Sequence, residues 1–282
     1  MSSVPSSIPK TILITGCSSG IGLYSAQQLQ QDERFTVIAS CRNPKDVARL
    51  NQQGITCVQL DLDDEASIEQ GWQHALELAD GKLFALFNNG AYGQCGALED
   101  LPTQALRQQF ESNFFGWHHL SRLAIAHMLE QGEGRIIQNS SVLGLVAMPH
   151  RGAYIASKFA LEGYTDTLRL ELADTPIQIS LIEPGPIRSA FRQNALSVFQ
   201  RTIDSAASRH RLAYQGTIDR LAKPGDSNRF TLGPEAVHQS LLKALLSQRA
   251  KPRYCVTFPT YLFTFLRRIL PTRRLDNLLV KG

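Results

Sequence analysis

Tyr154 and Lys158, one helical turn apart, are the residues of this 282-residue chain best placed by type and spacing to move a proton. They lie in AYIASKFALEGYTDTLRLELA (153–173), whose apolar spacing predicts a helix, so a separation of four puts both on one face. A phenol ionises near pH ~10 and is a poor acid or base at neutral pH unless its phenolate is stabilised. An ammonium group beside it does that, which suits the pair to the proton of a carbonyl/alcohol couple. Taken alone, such a pair is common on helices; the surroundings give it weight. Ser141 stands just past a predicted strand, where its hydroxyl can donate to a substrate oxygen, and Asn113 sits in FESNFFG within a long helical pattern, where an interior Asn is intrinsically unfavourable.

A second constellation is the glycine turn Thr15-Gly16-Cys17-Ser18-Ser19-Gly20-Ile21-Gly22, which a predicted strand feeds directly. Glycines at a first strand-to-helix junction allow a tight turn and close backbone approach to a pyrophosphate, with the helix N-terminus facing the anion. The spacing is GxxxGxG and not the commoner GxGxxG. At the end of the second strand, Ala39-Ser40-Cys41-Arg42-Asn43 offers an arginine where binders of NAD place a carboxylate for the ribose hydroxyls. A guanidinium suits a 2′-phosphate, so the sequence predicts NADP(H), with Ser18 and Ser19 adding hydroxyls nearby.

These groups need a scaffold that brings them to one edge. TILITG (11–16), FTVIAS (35–40), ITCVQLD (55–61), KLFALFNN (82–89), GRIIQNSS (134–141), IQISLIEPG (177–185) and RYCVT (253–257) read as strands separated by helical segments. Strands apolar on both faces with helix-length connections imply a parallel sheet covered on both sides, a doubly wound α/β fold that binds ligands at the carboxyl ends of its strands. The stretch 189–230 is polar and irregular, the length of a lid or substrate loop.

Composition agrees with one large α/β domain: 43% hydrophobic, 19% charged and no linker or low-complexity tract. The five scattered cysteines read as reduced thiols, the histidines show no metal-ligand spacing, and no metal site is expected. MSSVPSSIPK carries no secretory pattern, and the longest mostly apolar stretch is too short to span a bilayer, so a cytoplasmic location is expected. The net charge of +4 is uneven: residues 251–282 hold seven Lys/Arg against Asp276, or +6, leaving the rest near −2. No global basic surface of the kind that binds nucleic acid results. TYLFTFLRRILPTRRLDNLL (260–279) reads as a pair of short helices around Pro271 packed on the body or a partner; contact with a membrane surface, or narrowing of the active-site mouth, is the less favoured reading.

In order and at characteristic spacing, TGCSSGIG (15–22), Asp61, NNGA (88–91), Asn113, Ser141, YIASK (154–158) and PGPIRS (184–189) resemble the short-chain dehydrogenase/reductase family over residues 10–258. ASCRNP, GEGRII, RGAYIASK and SLIEPGPIR are most similar to its 17β-hydroxysteroid dehydrogenase-like group and, within that, to bacterial NADP-dependent aldehyde reductases. The resemblance implies a Rossmann-type domain over 1–258 followed by a basic helical extension over 259–282. It implies that Tyr154 is the general acid/base and Ser141, rather than Ser140, positions the carbonyl oxygen. Lys158 would bind the nicotinamide ribose and lower the tyrosine pKa, with Asn113 holding a water in a proton relay. Cofactor contacts would come from Gly16, Ser18, Ser19, Gly20, Ile21, Gly22 and Arg42, from Asp61 and Leu62 at the adenine, from Asn88 and Gly90 along the adenosine, and from Tyr154, Lys158, Pro184, Gly185 and Ile187. Two departures stand out: Gly90-Ala91 replaces the family's Ala-Gly, and Ser189 stands for its usual threonine.

The expected activity is NADP(H)-dependent reduction of a hydrophobic aldehyde or ketone, or the reverse oxidation. Tyr92, Val142, Leu143, Met148, His150 and Phe191 are the pocket candidates, mostly apolar. A catalytically silent NADP(H)-binding sensor is the alternative, against which the complete Asn113/Ser141/Tyr154/Lys158 set argues. The resemblance further implies a homodimer or homotetramer built on the helices around 104–130 and 151–173.

Overall fold

In the computed structural model, which describes residues 8–226 and 228–280, seven strands form one parallel sheet in the order β3-β2-β1-β4-β5-β6-β7. They are β1 (Lys10–Ile14), β2 (Phe35–Cys41), β3 (Cys57–Gln59), β4 (Leu83–Asn88), β5 (Gly134–Asn139), β6 (Ile177–Pro184) and β7 (Arg253–Val256). The first seven residues, on which the reading of the N-terminus rests, and Lys281 of the basic tail lie outside the described residues. All seven predicted strands are present, most ending a residue or more before the predicted limit because the last residues turn out of the sheet to build loops.

Side chains alternate across the sheet, so successive β1 residues feed two cores. Ile12 and Ile14 pack with Ala26, Leu29 and Leu241 on one face, and Leu13 packs with Ile38, Trp72, Leu120 and Ala124 on the other. The first face is covered by α1 (Gly20–Gln30), α2 (Pro44–Gln52) and α9 (Glu235–Leu246). The second is covered by α3 (Glu65–Leu78), α5 (Gly116–Gln131) and α6 (Gly152–Glu171), with α4 (Thr103–Phe110) leading into α5. The acidic start expected for α3 is its cap: Asp64 accepts from the backbone N–H groups of Ala66 and Ser67. Strand order reverses between β1 and β4, so the glycine turn after β1 and the NNGA segment after β4 face each other across the crevice where doubly wound sheets bind ligands.

Three segments differ from the expectation or refine it. The stretch 189–230 is not irregular: it forms α7 (Phe191–Thr202) and α8 (Arg211–Ala222), whose Ala195, Phe199, Tyr214 and Leu221 make a small core with Cys95 and Ala97. Between α4 and α5 the chain makes a π turn over Glu111–Phe115, the N–H of Gly116 donating to the carbonyl of Glu111. Asn113 sits inside that turn, which answers its odd position in the helical pattern. The C-terminal extension is the expected helix pair around Pro271, α10 (Phe258–Ile269) and α11 (Thr272–Leu279).

Candidate active site

The carboxyl ends of β1, β4, β5 and β6 deliver the site. After β1, Gly16 takes φ +70°, and a Cβ added there would lie 2.4 Å from the Cα of Gly90. Gly22 is equally enclosed, its Cβ position 2.4 Å from the carbonyl oxygen of Gly16. The backbone of the turn therefore lies directly against the NNGA segment, with Thr15 Oγ1 accepting from the N–H groups of Asn89 (2.9 Å) and Gly90 (3.0 Å). This also accounts for the Gly90-Ala91 departure. Gly90 eases a close approach, since a Cβ there would be 3.0 Å from Leu62 Cδ1 and 3.2 Å from the N of Gly16 and these neighbours would have to give by a few tenths of an ångström. Ala91 is not among the described residues with positive φ, so nothing there demands a glycine.

The residues present fit a dinucleotide. Helix α1 begins with no side chain capping it and no acidic residue in its first turn, although Ser19 occupies the capping position. Free N–H groups, the positive end of the helix dipole and two nearby serine hydroxyls make a cradle for a pyrophosphate. Arg42 extends from the end of β2 with its guanidinium largely exposed, 3.7 Å from Asp63. Asp63, raised above the usual carboxylate range by burial, accepts from the hydroxyl of Ser112, so Arg42 has only a loose partner and is available to a phosphate. Asp61 holds its own turn by accepting from the N–H of Asp63 (3.1 Å), and Leu62 packs below Gly90. Pro184, Gly185 and Ile187 follow β6; the Cβ position of Gly185 is 2.2 Å from Thr257 Oγ1, which packs this edge against the start of α10.

The side chain of Asn88 is fully buried and donates to Ser121 on α5 (3.0 Å), which leaves its backbone for the expected contact along the adenosine. Its neighbour Asn89 faces the edge instead, donating to the carbonyl of Thr15 (3.0 Å) and accepting from Asn139 (2.8 Å), so it ties β1, β4 and β5 together. Sequence reasoning passed over Asn89, Asn139 and Thr15, which carry structure and not chemistry.

The acid/base group is assembled on α6 and the end of β5. Ser141 caps the short turn Val142–Gly144, its Oγ accepting from the N–H of Leu143 (3.0 Å), and the same hydroxyl lies beside the phenol of Tyr154. Ser140 is otherwise engaged, donating to the carboxylate of Glu162. Burial pushes the Tyr154 phenol up to about 12, an effect the neighbouring Ser141 hydroxyl opposes. Lys158 is buried beneath it, donating from Nζ to the carbonyl of Asn139 (2.8 Å), with the ammonium 4.2 Å from the Trp117 ring centroid and 5.8 Å from that of Tyr154. Burial brings Lys158 down to about 7, and the charge of Glu162, one turn further along α6, works against that fall. At neutral pH the site thus holds a protonated phenol over a lysine poised to gain or lose its proton.

Asn113 joins this group through structure. Its side chain clamps the backbone of Tyr92, accepting from the N–H (3.2 Å) and donating to the carbonyl (2.9 Å), and reaches Ser157 on α6 (3.4 Å). Phe191, at the start of α7, lies edge-on to Tyr154 with ring centroids 5.4 Å apart, and it fits there because residue 93 is glycine: a Cβ would be 2.8 Å from its ring. Val142, Leu143 and Met148 pack in one apolar cluster with Phe263, Leu275 and Leu279 of the C-terminal helices. His150, at φ +61°, packs instead against His210 (5.1 Å) and Tyr214 (5.6 Å) of the 189–230 segment. That segment is latched to the 95–101 loop, where Asp100 accepts from Ser208 (2.6 Å) and Tyr214 and Glu99 pairs with Arg209 and His210.

Comparison with known proteins agrees with this geometry. The family model of the short chain dehydrogenases matches residues 10–198. The chain is 44% identical to the uncharacterized oxidoreductase YbbO of Escherichia coli K12 over 270 residues, covering 96% of this chain and 94% of that one. It is 32% identical to human 17-beta-hydroxysteroid dehydrogenase type 1 over 263 residues, covering 87% and 77% respectively. Among solved structures, a short chain dehydrogenase/reductase of Burkholderia phymatum in complex with NAD superposes with a TM-score of 0.75 at 26% identity, covering 96% of this chain and 95% of that one. A phenol, a serine and a lysine gathered beside a dinucleotide cradle, on a chain so matched along its length, place this protein in the short chain dehydrogenase family, as an oxidoreductase with a seven-stranded Rossmann-type sheet.

Proposed function

We propose that this protein reduces the carbonyl of a hydrophobic aldehyde or ketone to an alcohol with NADPH, and runs the reverse oxidation when substrate concentrations favour it. The observation that carries the reading is the buried Tyr154 hydroxyl, set beside Ser141 and underlaid by Lys158, next to the glycine cradle. The cofactor supplies the hydride that adds to the carbonyl carbon. Ser141 and Tyr154 hold the carbonyl oxygen by donated hydrogen bonds that strengthen as negative charge develops on it. Tyr154, kept protonated at neutral pH by burial, gives its proton to that oxygen, and a charged Lys158 stabilises the phenolate left behind. Asn113 fixes Tyr92 and the floor of the pocket, and its place in the π turn supports the relay role that the resemblance assigns to it.

Arg42, with no carboxylate on its own strand end, supports NADPH over NADH. The apolar cluster of Val142, Leu143 and Met148, with Phe191 over Tyr154, supports an apolar substrate. The 17-beta-hydroxysteroid dehydrogenase among the relatives is named for a substrate of that class. The aromatic cluster of Phe110, Phe114, Phe115 and Tyr164 leaves Phe115 about half exposed, which supports a second copy packing on these helices; the reading is of a cytoplasmic homo-oligomer. An NADPH-oxidation screen over medium-chain aldehydes, ketones and steroids tests the activity. Wild type should turn over at least one class, and Tyr154→Phe should bind NADPH unchanged yet lose most turnover. Retention of wild-type rates in Tyr154→Phe would overturn the mechanism, and NADPH binding without turnover of any carbonyl would favour a silent sensor.

A further inference from the structure

Helix α10 is amphipathic the wrong way round for a helix packed on a protein. Its inward face carries Thr260, Phe263 and Thr264, with the exposed Arg267 at its edge: Thr260 is fully buried and donates to the carbonyl of Val256 (2.9 Å), and Thr264 donates to the carbonyl of Thr260 (2.7 Å). Arg267 lies over the ring of Phe159 (5.2 Å). The outward face carries Phe258, Tyr261, Leu262, Phe265 and Ile269, spaced by three and four, each between 37% and 61% exposed. The 189–230 side of the molecule extends the patch, since Phe230 stacks on Phe258 with centroids 5.3 Å apart and Leu232 is 42% exposed. At the other end, α11 adds the exposed Leu278 and Val280. Contiguous apolar surface of this kind marks an interaction site.

The charges around the stripe select its partner. Arg268, Arg273 and Arg274 border it and are exposed, and Asp276 is the only acidic residue among 257–280. Pairing this face with a second copy would bring six arginines together with two aspartates to offset them. An anionic lipid surface offers the opposite sign to the arginines and hydrocarbon to the aromatics, and Tyr261 and Phe258 are residue types suited to the headgroup boundary. Among the described residues no helix is long and apolar enough to cross a membrane, so α10 can only lie in the interface plane. We propose that α10 and α11 dock the protein on an anionic bilayer, with the apolar stripe of α10 in the headgroup layer and the arginines against lipid phosphates. The inner side of the same helices carries Phe263, Leu275 and Leu279, packed against Val142, Leu143 and Met148 beside Ser141, so docking would turn that flank of the site toward the lipid surface. Docking itself does not depend on the reductase reading.

Co-sedimentation of the full chain with vesicles tests the proposal, using phosphatidylcholine alone and an equal mixture of phosphatidylcholine and phosphatidylglycerol, at low and high salt. Wild type should pellet with the mixed vesicles at low salt, and salt or loss of phosphatidylglycerol should weaken it. Each arginine near an anionic surface contributes about 1 kcal/mol, or about fivefold, so Arg268→Gln with Arg274→Gln should weaken binding about 25-fold. Phe265→Ser should weaken it about tenfold or more through lost apolar burial. Both sets of side chains face outward, so unchanged NADPH binding and thermal unfolding report an intact fold. The proposal is overturned if wild type stays in the supernatant with mixed vesicles at low salt, or if both variants bind as wild type does. It is also overturned if sedimentation velocity without lipid shows an assembly that Phe265→Ser dissolves, which would make the stripe an interface between copies.

Discussion

Replacing Lys158 by methionine should abolish turnover while improving the pH behaviour of the fold, and the size of that second effect follows from the site. Lys158 is 1% exposed, over the Trp117 ring, with one carbonyl as hydrogen-bond partner. Burial lowers its pKa from 10.5 to about 7. In the unfolded chain the amine keeps its ordinary pKa, so between the two values the unfolded state binds the proton and the folded state does not. Stability of the wild type therefore rises with pH across that window, by about 1.4 kcal/mol per pH unit and about 5 kcal/mol in full. Glu162 complicates the lower end. Its pKa is raised to about 7, so the folded state holds its extra proton from the ordinary carboxylate range up to that value, and stability falls with rising pH there.

From about pH 7.5 to about pH 9.5 the lysine contribution stands nearly alone, and the wild type should gain about 2–3 kcal/mol relative to Lys158→Met. The methionine leaves the Asn139 carbonyl without its donor, which costs about 1–3 kcal/mol at every pH and does not alter the slope. Urea unfolding of both proteins without cofactor, at four pH values across the window, measures the difference. A constant gap would refute the reasoning, since it would mean that Lys158 titrates alike in the folded and unfolded chains. In the active enzyme the same titration should appear in reduction: kcat/KM falls as pH rises through about 7, as the ammonium that supports the phenolate is lost.

Three further perturbations test other parts of the molecule. Gly16→Ala must place a Cβ 2.4 Å from the Gly90 backbone at φ +70°, so denaturation should show a loss of about 2–4 kcal/mol and calorimetry a collapse of NADPH affinity. Arg253→Met removes the guanidinium that bonds Glu162, Glu183 and Asp166; with Glu162 and Glu183 buried, stability should drop by about 3–5 kcal/mol at pH 8, and by less at pH 5.5, where Glu162, already raised to about 7, is protonated. An equal drop at both pH values would refute the ionic account. Asp100→Ala removes the acceptor shared by Ser208 and Tyr214, so limited proteolysis should cut within 203–224 faster than in wild type and KM for an apolar carbonyl should rise, while NADPH affinity holds.

What could be read from the chain was what local pattern and motif spacing control. Strands of Val, Ile, Leu and Phe separated by helix-length segments leave few alternatives to a parallel sheet, and a tyrosine and lysine four apart must share a helix face. The placing of Ser141 beside Tyr154 is readable too, because strand ends in such a sheet converge on one edge. The failures share a cause, which is that the deciding contact is remote in sequence. At the end of β4 the side chain of Asn88 reaches the Ser121 hydroxyl on α5 while that of Asn89 reaches Thr15 and Asn139, partners that no local pattern names. The 189–230 stretch looks irregular because α7 and α8 bury only short faces, against Cys95 and Ala97 about a hundred residues earlier. The π turn at Asn113 leaves no local signature beyond the misplaced Asn, whose bonds run to Tyr92 and Ser157.

The lysine environment shows the same limit in electrostatic form. Arg253 on β7 bonds Glu162 and Glu183, Glu162 accepts from Ser140 and lies one turn from Lys158, and Ser140 adjoins Ser141, the neighbour of Tyr154. Charge thus alternates from Arg253 through Glu162 to Lys158 across β7, β6 and α6, inside the protein where solvent screens little. Without Arg253 the charge of Glu183 would push Glu162 further toward protonation, and Lys158 would lose the negative charge that opposes its deprotonation. The proton affinity of the active-site lysine is therefore set partly by a residue 95 positions later in the chain. No spacing rule reaches that far, so the motif identifies the acid/base pair and the folded sheet tunes it.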